Sequence, residues 1–170
     1  MENIKILEAS DISVWEYRKL RLEALREEPQ AFGSTHKDQA DQPIEEWQKW
    51  LNNYIEGKKN WMIFAANGNK LIGMVGAYQT GEKKNDYTQI IAMYVSSEAR
   101  GKGVSKLLMK RLLEKLTNET SVKEVILDVN VDQVAAVNLY KSFGFNITRS
   151  DKLALGDGKE HDVYLMSKVL

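Results

Sequence analysis

Residues 88–116 constrain this chain more than any other stretch. Thr88–Val95 is apolar and β-branched enough to be a buried strand. It passes through Ser96-Ser97-Glu98-Ala99 into Arg100-Gly101-Lys102-Gly103. A helix then begins, with Val104, Leu107, Leu108, Leu112, Leu113 and Leu116 on one face. A strand feeding a helix through a glycine turn leaves the first backbone N–H groups of that helix without intrahelical partners. Glycine lets a ligand approach the backbone closely, and the helix dipole favours negative charge at that end. The segment therefore reads as a cradle for phosphate or pyrophosphate. Residues 98–115 carry Arg100, Lys102, Lys106, Lys110, Arg111 and Lys115 against Glu98 and Glu114, a local bias that suits an anion or a solvated helix face.

The rest of the chain sets the frame around this unit. Ile4–Glu8 reads as a strand, and Ser10-Asp11 as the cap of a helix carrying Val14, Tyr17, Leu20/Arg21, Leu22 and Leu25 up to Pro29. Residues 30–42 are polar and loop-like. Pro43 opens a second helix with Trp47, Trp50, Leu51 and Tyr54 on its apolar face, and Gly57 stops it. Trp61–Ala66 and Leu71–Tyr78 are strands around Asn67-Gly68-Asn69, a hairpin signal, and Thr80–Asp86 is a polar connection. Val125–Val129 is a short buried strand. Asp132 is placed to cap a helix that runs through Tyr140 and Phe143 and ends at Gly144. Phe145–Thr148 starts a strand, Asp157-Gly158 turns, and His161–Val169 alternates as the closing strand. The order β-α-α-β-β-β-α-β-α-β-β predicts one mixed α/β domain over residues 1–170.

Composition narrows the function classes. A 43% hydrophobic and 28% charged chain is that of a soluble globular protein, and zero formal net charge argues against a nucleic-acid partner. No cysteine is present, which removes disulfides, thiolate catalysis and thiolate metal sites. Two histidines, His36 and His161, are too few for a histidine-rich metal site, so no metal is expected. The N-terminal residues lack a signal-like apolar run and no stretch approaches a membrane span, so a cytoplasmic address without a membrane partner is the expectation. The P-loop pattern and the Gly-x-Gly-x-x-Gly dinucleotide pattern are both missing.

Ile126-Leu127-Asp128-Val129-Asn130 is followed by Ala135-Ala136-Val137-Asn138-Leu139-Tyr140-Lys141-Ser142-Phe143-Gly144-Phe145. Together with Arg100-Gly-Lys-Gly, this resembles the GNAT (Gcn5-related N-acetyltransferase) superfamily over roughly residues 88–147. The family pattern is Arg/Gln-x-x-Gly-x-Gly/Ala. Arg100 and Gly103 match it, and Ser105 takes the last small position. The resemblance implies the GNAT acyl-CoA N-acyltransferase fold, an α/β (α+β mixed) architecture. Its central sheet is mixed and mostly antiparallel, flanked by four helices.

The resemblance also implies acetyl-CoA as cosubstrate and a primary amine, of a small molecule or a protein, as acceptor. The amine would attack the thioester directly, and a homodimer is compatible with the family. Backbone N–H groups of Gly101, Lys102, Gly103, Val104 and Ser105 would hold the pyrophosphate, with Arg100 and Lys106 beside them. The backbone of Met93, Tyr94 and Val95 would bind the pantetheine arm, as in strand addition. An N–H near Met93 would polarise the thioester carbonyl. Tyr140 would protonate the departing thiolate, since a phenol with a reference pKa near ~10 is protonated at neutral pH. Gln133 stands where the family has an Asn that contacts the cofactor, with Asn130 and Asn138 as substitutes.

The acceptor poses its own problem, because freeing a lysine-like amine at pH 7 costs roughly 4–5 kcal/mol. Some relatives place a Glu on the strand that begins Thr88-Gln89-Ile90, but no acid stands there. Asp86, Asp128, Glu98 and His161 are the alternatives. Phe32, Ser34, Trp47, Tyr78 and Tyr87 are candidates for the acceptor pocket, the tryptophan with a packing role as the competing reading. A non-catalytic acyl-CoA-binding or sensing module, or an unrelated phosphate-binding α/β protein, would use the same glycine turn.

Overall fold

The structure, a computed structural model, describes residues 3–79 and 87–170. Expectations on Thr80–Asp86, including Asp86 as a base, and on the Tyr87 side chain lie outside the described residues.

Strand β1 (Ile4–Glu8) leads through a 3-10 turn, Ala9–Asp11, into helix α1 (Val14–Glu27). The expected cap at Ser10-Asp11 is displaced. Ser13 caps α1 instead: its Oγ accepts from Glu16 N at 3.3 Å, and Glu16 Oε2 accepts from Ser13 N at 2.8 Å. That reciprocal box satisfies two orphan donors at once, and Asp11 serves the Glu8 N–H one turn earlier. The segment expected to be a loop contains a five-residue helix, α2 (His36–Ala40). Five polar or small residues carry no apolar period to reveal it. Thr35 caps it, and Arg18 and Arg21 reach from α1 to Ala40 O and Gln39 Oε1. Helix α3 (Ile44–Glu56) ends at Gly57, whose φ of 61° suits glycine.

Strands β2 (Asn60–Asn67) and β3 (Lys70–Gln79) form the hairpin, with Gly68-Asn69 as its two loop residues. Strand β4 (Tyr87–Val95) leads through a short 3-10 turn to helix α4 (Val104–Glu119). Strand β5 (Glu124–Asn130), helix α5 (Val134–Ser142), strand β6 (Asn146–Ala154) and strand β7 (Glu160–Val169) complete the order. Asp132 does not cap α5. The cap position is Gln133, without a side-chain bond, and the Asp132 N–H is taken by Asn130 Oδ1.

The seven strands form one open sheet in the order β1-β2-β3-β4-β5-β7-β6. Every pairing is antiparallel except β4 with β5. The described residues form five helices rather than four. Helices α1 and α3 cover one face, where Tyr17, Leu20, Trp47 and Leu51 pack on Met62, Phe64 and Met74. Helices α4 and α5 cover the other, where Leu108, Leu112 and Leu116 pack on Ile63 and Val75. Burying each such leucine contributes about 1.5–3 kcal/mol. No helix among the described residues is long and apolar enough to cross a membrane.

Two departures from regular pairing position the site. Between Met74 and Gly76 the β3–β4 register slips, because β4 holds one extra residue there. Ala92 sits in the bulge with φ of 57°, a left-handed backbone carried by a residue other than glycine. The extra residue resets the alternation of β4, so that Met93 and Val95 face the α4 layer and Tyr94 faces α1. Then β4 and β5 pair only through Tyr87, Thr88 and Gln89. Beyond Gln89 the two strands part, while β5 stays paired with β7 as far as Asn130.

Candidate active site

The parted strands open a cleft of about 570 Å³. The β4 edge from Ile90 to Val95 forms one wall, and Asp128, Val129 and Asn130 of β5 the other. The start of α4 and the inner face of α5 lie along one side. Phe32, Gly33 and Ser34, with Leu153 at the end of β6 and Leu155 of the β6–β7 turn, close another. Past Gln89 the β4 backbone has no strand partner on its cleft side, so this edge can accept an extended chain.

At the start of α4, Gly101 and Gly103 have φ of 75° and 80°, a backbone that an L side chain adopts only at a cost. Gly103 is the cap residue and no side chain caps the helix. The helical ladder begins with Leu107 N donating to Gly103 O at 3.1 Å, so the N–H groups of Val104, Ser105 and Lys106 stand ahead of it. Arg100 is fixed beside this turn: its Nε donates to Val95 O at 3.0 Å, and its Nη2 pairs with Glu28 at 2.5 Å. The other oxygen of Glu28 accepts from Gln133 Nε2 at 3.3 Å. One carboxylate thus ties the turn to the start of α5, a link the sequence did not suggest.

Of the residues singled out from sequence, Met93, Tyr94, Val95, Arg100, Gly101 and Gly103 line the cleft, as do Val104, Ser105, Gln133 and Tyr140. Lys102, Lys106 and Asn138 do not. Both lysines and Asn138 point to the exposed side of their elements. Asn130 lines the cleft but its amide is engaged. Nδ2 donates to Gln30 O and lies 3.2 Å from His161 Nδ1, while Oδ1 accepts from Asp132 N.

Tyr140 is 6% exposed, its ring edge-on to Phe145 at 6.0 Å between centroids. Its hydroxyl has no hydrogen-bond partner among the described residues, and the residue lines the cleft. Burial pushes the phenol well above its ordinary range, so it stays protonated.

Among the proposed bases, Glu98 pairs with Lys70 away from the cleft. His161 is held by Asp157 at 2.8 Å and by Asn130, and it is not in the lining. Asp128 is in the lining, on β5 beside the point where the strands part. Gln89 Nε2 donates to Asp128 Oδ2 at 3.0 Å, and Tyr78 donates its hydroxyl to Gln89 Oε1 at 2.8 Å. Burial raises the Asp128 pKa and Asp151 adds to the rise, while Arg149 and the Gln89 bond oppose it. An acid thus lies in the lining on the strand next to β4, orientated by a β4 amide. Of the acceptor-pocket candidates, Phe32 and Ser34 line the cleft. Trp47 is fully buried against Tyr17 and Trp50, so its role is packing. Tyr78 is not in the lining and bonds to Gln89.

Comparison with known proteins agrees with this geometry. The Acetyltransferase (GNAT) family profile matches residues 20–145, and the chain belongs to that family. It is 31% identical over 98 residues to N-acetyltransferase 8 of Homo sapiens, a stretch covering 56% of this chain and 43% of that protein. It is 36% identical over 76 residues to the L-amino acid N-acetyltransferase AaaT of Escherichia coli, covering 44% of this chain and 47% of that one. Each match spans less than half of the relative's length. In fold, the chain superposes on a GNAT-family acetyltransferase from Streptococcus pneumoniae with a TM-score of 0.85 at 23% identity, covering 99% and 100% of the two chains. A putative acetyltransferase from Salmonella typhimurium, solved with acetyl-CoA, gives 0.80 at 14% identity, covering 100% and 94%.

Proposed function

We propose that this chain is an acetyl-CoA-dependent N-acetyltransferase acting on a primary amine. The observation that carries the reading is the cleft between parted β4 and β5, with the uncapped α4 start and Tyr140 both in its walls. Acetyl-CoA supplies the activated acetyl group. The N–H groups at the start of α4, behind Gly101 and Gly103, hold its pyrophosphate, and each bond to a charged oxygen is worth about 1.5–3 kcal/mol. The free β4 edge at Met93–Val95 orders the pantetheine arm, and an N–H beside the Ala92 bulge draws charge onto the thioester oxygen.

Asp128, kept in place by Gln89, takes the proton of the incoming ammonium, directly or through a water. Tyr140 gives its proton to the thiolate as the carbon–sulfur bond breaks. The Arg100–Glu28–Gln133 link holds the turn and the α5 start at a fixed separation. Release of free CoA thiol, measured across an amine panel, tests the reading. Amine-dependent release is the expected result. Calorimetric binding of CoA with no release for any amine would leave a binding module instead.

A further inference from the structure

Arg21 is a cation in the cleft wall with no anion to meet it among the described residues. It projects from α1, packs its guanidinium over the Phe32 ring at 4.9 Å, and donates from Nε to Gln39 Oε1 at 3.1 Å. Its Nη1 is shut away from solvent without any hydrogen-bond partner. No carboxylate among the described residues pairs with it, and the ionisable neighbours that act on it are the phenols of Tyr17 and Tyr54. The two acids in the cleft lining are already engaged, Glu28 by Arg100 and Gln133 and Asp128 by Gln89. The Gln39 bond and the Phe32 contact account for the Nε edge and the ring face of the guanidinium. They leave Nη1 without a role. A buried charge without a partner is costly to keep unless a ligand supplies one.

We propose that Arg21 binds the carboxylate of the acceptor, so that the substrate is a free amino acid rather than a polyamine or an uncharged amine. The proposal rests on the acetyltransferase reading of this cleft and names its acceptor class. In this arrangement the carboxylate of the acceptor serves Arg21, beside Phe32 in the cleft lining. A polyamine is disfavoured because its further ammonium groups would face an unpaired guanidinium.

The test uses matched substrates, each an amino acid paired with the amine left by removing its carboxylate, and reads CoA release with the whole chain. The expected result is a kcat/KM at least tenfold higher for the carboxylated member of the best pair. Arg21→Lys and Arg21→Met should abolish that preference by raising KM for the amino acid at least tenfold more than for the decarboxylated amine. A parallel melting assay of the CoA-saturated protein reads binding without turnover. Amino acids should raise the wild-type melting temperature and not that of Arg21→Lys. Equal or reversed preference within the pairs overturns the proposal, as does acceptance of only an acidic peptide amide, which would move the carboxylate to a side chain. If no amine supports release, the melting assay decides the carboxylate site; failure to bind CoA strikes the acetyltransferase reading and the proposal with it, whereas amine-dependent release without a carboxylate preference strikes the proposal alone.

Discussion

Gly156, in the β6–β7 turn, offers the sharpest test of how the cleft is held. Its N–H donates to Phe32 O at 2.7 Å. A methyl group built there would overlap the Ser34 carbonyl oxygen and come within 3.1 Å of the Phe32 and Pro29 carbonyl oxygens. All three obstacles are backbone, so no side chain can swing aside. In Gly156→Ala the turn and residues 29–34 must separate, at the expense of the Phe32 bond. Overpacking of 1–3 kcal/mol together with a lost bond gives about 2–3 kcal/mol. For a chain of this size that is a fall of roughly 5–10 °C in melting temperature. Phe32, Ser34 and Leu155 line the cleft, so the acceptor site moves with them. Displacement by an ångström costs up to about a hundredfold in rate. The expected kinetic signature is a loss of kcat/KM for the amine, with KM for acetyl-CoA changing much less. Differential scanning fluorimetry and CoA-release kinetics read both. A variant that melts within a degree of wild type and keeps its amine kinetics would refute the argument that this glycine seats the 29–34 segment.

Two further outcomes follow from the cleft. Tyr140→Phe should lower kcat by about a hundredfold or more, the usual contribution of a general acid. Its melting temperature should hold, because the hydroxyl has no protein partner and the ring contact with Phe145 survives; unchanged kcat would remove the residue from proton transfer. Asp128→Asn should also lose turnover, while its stability moves the other way. Burial raises the folded-state pKa of Asp128, so its contribution to stability is complete below the unfolded value near ~3.9 and is lost as pH rises through the raised folded value. The Asn variant should therefore melt at or above wild type at pH 7, with the gap closing toward pH 3, and a variant less stable at pH 7 alone would contradict that sign.

Much of the site was legible because it is local. Gly101 and Gly103 answer a backbone demand, positive φ at a helix start, that neighbouring residues impose and the sequence displays directly. Tyr140 was singled out by the family resemblance of residues 135–145, and its helix was readable from its apolar face and glycine stop. Strand and helix order followed from period, with α2 the exception, since five polar residues held by Arg18 and Arg21 leave no periodic trace. Asp128 stood in the sequence as one of four candidate bases with nothing to single it out, because its setting depends on Gln89, thirty-nine residues away and brought beside it by the short parallel pairing.

Local chemistry therefore fixed most element types and the glycine turn within the sequence itself. The parting of β4 from β5, the Ala92 bulge that turns Met93 and Val95 toward the cleft, and the Glu28 bridge arise only on assembly. They depend on register between strands and on which side chains meet across the sheet. Arg21 belongs with these. In the sequence it is one more polar residue on a helix, and only packing against Phe32 takes its counter-ions away.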